Sequence, residues 1–122
     1  MPRILLCDNE QSLRNLMRAS LDGLGHEVHE ATTGEEGLRL AHELAPDLVL
    51  LDMMMPGRSG LEVLRELRSD PALADIAVVM VTARVQADDR EAAFAAGADG
   101  FVSKPFRPAE LVALVSELLD AQ

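Results

Sequence analysis

The sequence predicts a single α/β domain, a doubly wound parallel sheet of five strands covered by five helices. Three observations predict it. Short apolar runs rich in branched residues alternate with longer segments of helical spacing, strand then helix, five times over. The strongest runs are apolar at consecutive positions rather than at alternate ones, which fits strands buried on both faces. The chain has 122 residues, enough for one domain and one sizeable core.

The elements follow in order. Ile4–Cys7 reads as the first strand, and a helix follows it. On that helix Leu13, Leu16, Met17, Leu21 and Leu24 recur at i, i+3, i+4 and line one face. Ser12 or Asn9 is placed to cap its start, and Gly25 follows its end. Glu27–Ala31 is a weaker strand. A second helix covers Gly34 to Leu44 and closes at Ala45-Pro46, because the residue before a proline avoids helical backbone. Leu48–Leu51 is the third strand. The helix after it runs from about Gly60 to Ser69, with Leu61, Leu64 and Leu67 inward, until Asp70-Pro71 stops it. Ile76–Val81 is the fourth strand, and a helix from about Ala87 to Ala96 ends at Gly97. Its first turn, Asp88-Asp89-Arg90-Glu91, sets acids at the helix N-terminus. Gly100–Ser103 is a weaker fifth strand. The last helix begins near Pro108, a favoured first-turn proline, with Leu111, Leu114, Val115 and Leu118 on one side. No linker or low-complexity segment interrupts the series, so residues 1–122 read as one domain.

Composition narrows the function. With three Phe, no Trp and no Tyr, the core must be aliphatic, and there are few aromatic platforms on which bases could stack. A net charge of −10 repels a phosphate backbone, so direct nucleic-acid binding by this chain is not expected. Cys7 is the lone cysteine and is expected to be an inert strand residue. The start, Met1-Pro2-Arg3-Ile4, lacks a signal peptide, and no stretch approaches the roughly 18 apolar residues of a membrane span. A cytoplasmic protein without a membrane partner is therefore expected.

In open α/β sheets, ligands sit beyond the carboxyl ends of the strands, where strand order reverses. Strand one delivers Asp8-Asn9-Glu10 to that edge, strand three Asp52, strand four Thr82-Ala83 and strand five Ser103-Lys104-Pro105. Carboxylates, a hydroxyl and an ammonium thus converge. Clustered carboxylates repel one another and need a cation. Oxygen ligands without His or Cys favour a hard ion such as Mg²⁺. The three histidines, His26, His29 and His42, stand at no metal-binding spacing. An aspartate can attack phosphorus, and a metal, a lysine and a hydroxyl would each neutralise charge on the transferred group. Asp52, Lys104 and Thr82 are the residue types this chemistry requires.

The segments Ile4-Leu-Leu-Cys-Asp-Asn-Glu10, Asp52-Met-Met-Met-Pro-Gly-Arg-Ser-Gly60, Val81-Thr-Ala83 and Gly97-Ala-Asp-Gly-Phe-Val-Ser-Lys-Pro105 carry a resemblance. Together they resemble the receiver domains of response regulators in two-component signalling, of the chemotaxis-regulator type, over essentially the whole chain. The resemblance implies the flavodoxin-like strand order 2-1-3-4-5. It implies phosphorylation of Asp52, with Lys104 contacting the phosphoryl group and Thr82 moving toward it. Phe101 takes the place of the switch aromatic that turns inward on activation. Mg²⁺ would be held by Asp8, Asn9, Asp52 and the backbone carbonyl of Met54, while Met54 and Arg84 tune the lifetime of the phosphoryl group. The Lys104-Pro105 step is often cis in that family. The implied partners are a histidine kinase or histidine phosphotransfer protein as donor, and a downstream effector protein or output domain. The catalytic work would be limited to the domain's own phosphorylation and dephosphorylation. The expected output surface is the face of helix four, strand five and helix five. There Val112 and Leu119, which the core stripe does not need, are candidates for homodimerisation or partner docking.

One departure stands out. The family usually has two acids at the end of strand one, and this chain reads Asp8-Asn9. An amide oxygen ligates without charge, so Mg²⁺ affinity is expected to fall roughly tenfold to somewhat over a hundredfold. Glu10, on a straight strand, would point away. The alternative reading is a pseudo-receiver, a protein-interaction module that works without phosphorylation. An aspartate-nucleophile phosphohydrolase would want a second acid two residues after Asp52, where Met54 stands. A nucleotide-binding enzyme would want a glycine-rich loop after strand one, and none is present. The Met53-Met54-Met55 run reads as strand end and loop rather than as a binding surface.

Overall fold

The computed structural model describes residues 2–83 and 87–121. Five strands alternate with five helices: β1 (Arg3–Cys7), α1 (Gln11–Leu21), β2 (Glu27–Ala31), α2 (Gly34–Leu44), β3 (Leu48–Asp52), α3 (Gly60–Ser69), β4 (Ala77–Thr82), α4 (Ala87–Ala95), β5 (Gly100–Ser103) and α5 (Pro108–Asp120). The strands form one parallel sheet, as the apolar pattern predicts, in the order β2-β1-β3-β4-β5 that the family resemblance implies. Strand order reverses between β1 and β3, which pair directly.

Alternate residues of the central strands feed two cores. Leu5, Cys7, Val49, Leu51, Val78 and Met80 pack under α2, α3 and α4 with Ala41, Val63, Leu64, Leu67 and Ala93. Ile4, Leu6, Leu48, Leu50, Val79 and Val81 pack on the other face with Met17 and Leu21 of α1 and Leu111 and Val115 of α5. Central strands buried on both sides are why their sequences run apolar without alternation. Helix starts are fixed by local chemistry. The Thr33 hydroxyl accepts from the Glu36 amide at 3.1 Å, while the Glu36 carboxylate accepts from the Thr32 amide at 2.7 Å. The Ser59 hydroxyl accepts from the Glu62 amide at 3.2 Å.

Several expectations need correction. The N-cap of α1 is Glu10, without a side-chain cap bond, so neither Asn9 nor Ser12 caps it. Leu16 and Leu24 are exposed rather than inward. The helix ends at Leu21, so its periodicity no longer governs Leu24, and the buried stripe is completed by Arg14 in place of Leu16. Val112 and Leu119 are not spare surface residues, since both pack, partly buried, against the core under α5. Ile76 precedes β4 rather than opening it. Among the described residues no helix is long and apolar enough to cross a membrane.

Candidate functional site

Strand register assembles the site. Cys7 pairs with Leu51, so the next residues, Asp8 and Asp52, emerge side by side from β1 and β3. Asp52 pairs with Val81, and Thr82 with Ser103, which brings Thr82 and Lys104 to the same rim. The Lys104 amide donates to the Thr82 carbonyl at 2.8 Å, fixing the β5 end to β4. The Lys104–Pro105 peptide bond is cis.

The side chains then meet. The Lys104 Nζ lies 2.9 Å from Asp8 Oδ2 and 3.2 Å from Asp52 Oδ2. Asp8 and Asp52 are 0% and 3% exposed, and Thr82 is also fully buried. The second oxygens are held by backbone: Asp8 Oδ1 accepts from the Glu10 amide at 2.8 Å, and Asp52 Oδ1 from the Met54 amide at 3.1 Å. Gly60 completes the cradle, because a Cβ there would collide with the Asp52 carbonyl. Only glycine lets the start of α3 come this close to Asp52.

The charges are unequal: two carboxylates face one ammonium. Burial pushes the Asp52 pKa above the ordinary aspartate value; the Met54 amide opposes this, the Asp8 charge adds to it, and Lys104 opposes it. Burial also disfavours the Lys104 ammonium, but its hydrogen bond to Asp8 and the charges of Asp52 and Asp8 outweigh that and hold its pKa above the ordinary lysine value. Cys7, just below, is buried, and desolvation first, then Glu36 and Asp8, push its thiol up to about 12. That agrees with an inert role.

Other predicted residues fall as follows. Asn9 is exposed beside Asp8. Glu10 does not point away: its Oε1 stands 3.9 Å from Lys104 Nζ. β1 has ended at Cys7, so strand alternation no longer directs it. Met53 and Met55 are buried in the core, whereas the Met54 side chain is exposed. Phe101 is half-buried, and the Arg90 guanidinium lies 5.7 Å from its ring centroid and 5.7 Å from that of Phe94. Sequence reading missed this arginine; its position one helical turn before Phe94 was the available signal. Arg84 lies outside the described residues.

The donor chemistry suits a hard cation. Among the described residues no three His, Cys, Asp or Glu side chains form a metal-binding set. Mg²⁺, however, is commonly held by one or two carboxylates together with water and phosphate oxygens. Asp8 and Asp52 supply that many, with one negative charge uncompensated by Lys104.

Fold and site together define a doubly wound α/β domain with a buried cluster of two carboxylates and a lysine at the switch point of its sheet. Residues 4–116 match the family model of the response regulator receiver domain, and the chain belongs to that family. It is 41% identical over 119 residues to the DNA-binding dual master transcriptional regulator RpaA of Synechocystis, covering 98% of this chain and 49% of that protein. It is 42% identical over 113 residues to the DNA-binding response regulator MtrA of Mycolicibacterium smegmatis, covering 93% of this chain and 48% of that one. The chain thus spans about half the length of the curated relatives it matches. Among solved structures, a putative response regulator from Chloroflexus aurantiacus superposes with a TM-score of 0.93 at 31% identity, covering 98% of each chain. The chemotaxis protein CheY4 of Vibrio cholerae gives 0.90 at 27% identity, covering 97% of this chain and 98% of that one. Receiver domains of response regulators are phosphorylation-controlled signalling switches of two-component systems, not conventional enzymes, and they generally bind Mg²⁺ at the phosphorylation site.

Proposed function

We propose that this domain accepts a phosphoryl group on Asp52 from a histidine kinase or histidine phosphotransfer protein and thereby changes the partner it binds. The observation that carries the reading is the buried Asp8–Lys104–Asp52 cluster, with Nζ at 2.9 and 3.2 Å from the two carboxylates. An Asp52 carboxylate oxygen attacks phosphorus, and the bond from phosphorus to the donor nitrogen breaks with its electron pair leaving on that nitrogen. Lys104 meets the equatorial oxygens of the transferring group, and the buried Thr82 hydroxyl lies on the same rim to accept or donate there. Asp8 and Asp52, with the Asn9 amide beside them, would hold Mg²⁺, which when bound neutralises further phosphoryl charge. The exposed Met54 side chain and Arg84 are the tuning positions.

Phe101 is the proposed switch ring, and α4, β5 and α5 the proposed output surface. Its occupant is a downstream effector protein, an output domain or a second copy of this chain, met by Glu110, Glu117 and Asp120 of α5 and by Arg90 of α4. The pseudo-receiver reading rests on Asn9 alone. Acetyl phosphate with Mg²⁺, followed by intact mass, separates the two. Wild type should gain one phosphoryl group and Asp52→Asn none; a wild-type chain that stays unmodified favours the pseudo-receiver.

A further inference from the structure

Four polar or charged residues are buried among the described residues: Asp8, Asp52, Thr82 and Arg14. The first three stand at the proposed phosphorylation site. Arg14 has no part in the chemistry above, yet it touches the same residue that holds Lys104. Its Nη1 donates to the Asp8 carbonyl at 2.6 Å, a short charge-assisted bond. Its Nε donates to Glu30 Oε1 at 2.9 Å. Glu30 is held in turn, since its Oε2 accepts from Arg18 Nε at 2.8 Å. Burial disfavours the Glu30 carboxylate, but the hydrogen bonds and charges of Arg18 and Arg14 outweigh this and keep it ionised below the usual range.

The Asp8 carbonyl belongs to the peptide plane joining Asp8 to Asn9, so fixing it orients both residues. The Asp8 amide is fixed as well, donating to the Ala31 carbonyl at 3.1 Å. With its backbone held on both sides, the Asp8 side chain starts from a fixed Cα–Cβ direction, and its carboxylate accepts from the Glu10 amide and from Lys104. We propose that Arg14 is a positioning residue of the phosphorylation site, braced by Glu30 and Arg18, that sets the Asp8–Asn9 peptide so that Asp8 faces Lys104 and the cation site. This rests on the reading of Asp8 and Asp52 given above.

The test compares wild type with Arg14→Met, Arg14→Lys and Glu30→Gln by four readouts. These are Mg²⁺ titration, the initial rate of phosphorylation by acetyl phosphate, the NMR resonance of the Glu10 amide, and the thermal midpoint. Partners that orient metal-binding residues typically count for about ten- to a hundredfold in affinity or activity, and Arg14→Met should lose about that much in both. Its Glu10 amide should move, because that amide reports the direction of the Asp8 carboxylate. Arg14→Lys should recover most of the Mg²⁺ affinity, since an ammonium can still reach the carbonyl. An Arg14→Met protein of lowered midpoint but unchanged Mg²⁺ affinity and Glu10 resonance would overturn the proposal. Should Arg14→Met fail to fold, Glu30→Gln keeps the Asp8 contact but loosens the brace, and a few-fold loss of Mg²⁺ affinity is expected; no loss overturns it equally. A wild-type chain that takes no phosphate would instead remove the assignment of Asp52, while the Glu10 resonance still decides the role of Arg14.

Discussion

The two edges of the sheet each gather a cation from distant parts of the chain, with different results. At the carboxyl edge Lys104 lies between two buried carboxylates. At the opposite edge Arg68, from the end of α3, donates to the carbonyls of Gly97, Ala74 and Ile76 and to the carboxylate of Asp99, all at 2.6–3.0 Å. Asp99 also accepts from the Val78 amide at 2.9 Å. Arg68 pairs with one carboxylate and otherwise with neutral carbonyls, so its charge is balanced and its donors are filled. Lys104 leaves one negative charge over, in a place with little water. One edge is a finished clasp, and the other is a site that still needs a positive partner. Removing one partner from a clasped buried charge destabilises the fold, whereas an unbalanced buried cluster marks a candidate site of chemistry.

Substitutions can break or sharpen that contrast. Lys104→Met should lower the rate of phosphorylation by acetyl phosphate by roughly 10²–10³, the scale for removing one preorganised donor to a developing charge. Intact mass against time measures it, and a loss of only twofold would remove Lys104 from the reaction. Arg68→Met should leave that rate unchanged but cost on the order of 2 kcal/mol of stability, because several carbonyls lose their donor together. Urea denaturation checks this, and a coupled fall in phosphorylation rate would show that the two edges are not independent. Asn9→Asp adds a further negative charge at the site and should strengthen Mg²⁺ binding roughly tenfold. Equal affinities by titration would place the ligand elsewhere.

The smallest effect concerns pH. The Asp52 pKa is raised on folding, so the folded chain holds that proton more tightly than the unfolded one. The contribution of Asp52 to stability is then greatest below the ordinary aspartate range and is lost as pH rises through its folded pKa. Asp52→Asn should therefore melt higher than wild type at neutral pH, and the gap should close on acidification. A gap that widens toward acid would reverse the sign of the shift.

Much of this was legible in the sequence. The apolar runs marked β1, β3 and β4 because strands buried on both faces leave no room for polar alternation. The convergence of Asp52, Thr82 and Lys104 on one rim was legible because Asp52 and Thr82 close such runs and Lys104 follows the weaker run of β5. What was hidden depends on where elements stop. Leu24 continued a helical pattern past the end of α1, and Glu10 was judged by the geometry of a strand that had already ended at Cys7. Arg14 occupies an inward position at helical spacing from Met17 and Leu21, yet nothing local could reveal that Asp8 and Glu30 would receive its hydrogen bonds. The Arg90–Phe94 contact lies within α4, but the second ring, Phe101 of β5, is brought to Arg90 only by the assembled fold.

Beryllofluoride, which mimics a bound phosphoryl group, offers the most direct test of the central claim, that modification of Asp52 is sensed by the output face. Titrated with Mg²⁺ and followed by NMR, it should produce saturable shifts at the amides of Met54 and Lys104 and also at Phe101 and along α4, and none in Asp52→Asn. Shifts confined to Met54 and Lys104, or identical in the Asp52→Asn protein, would contradict the account.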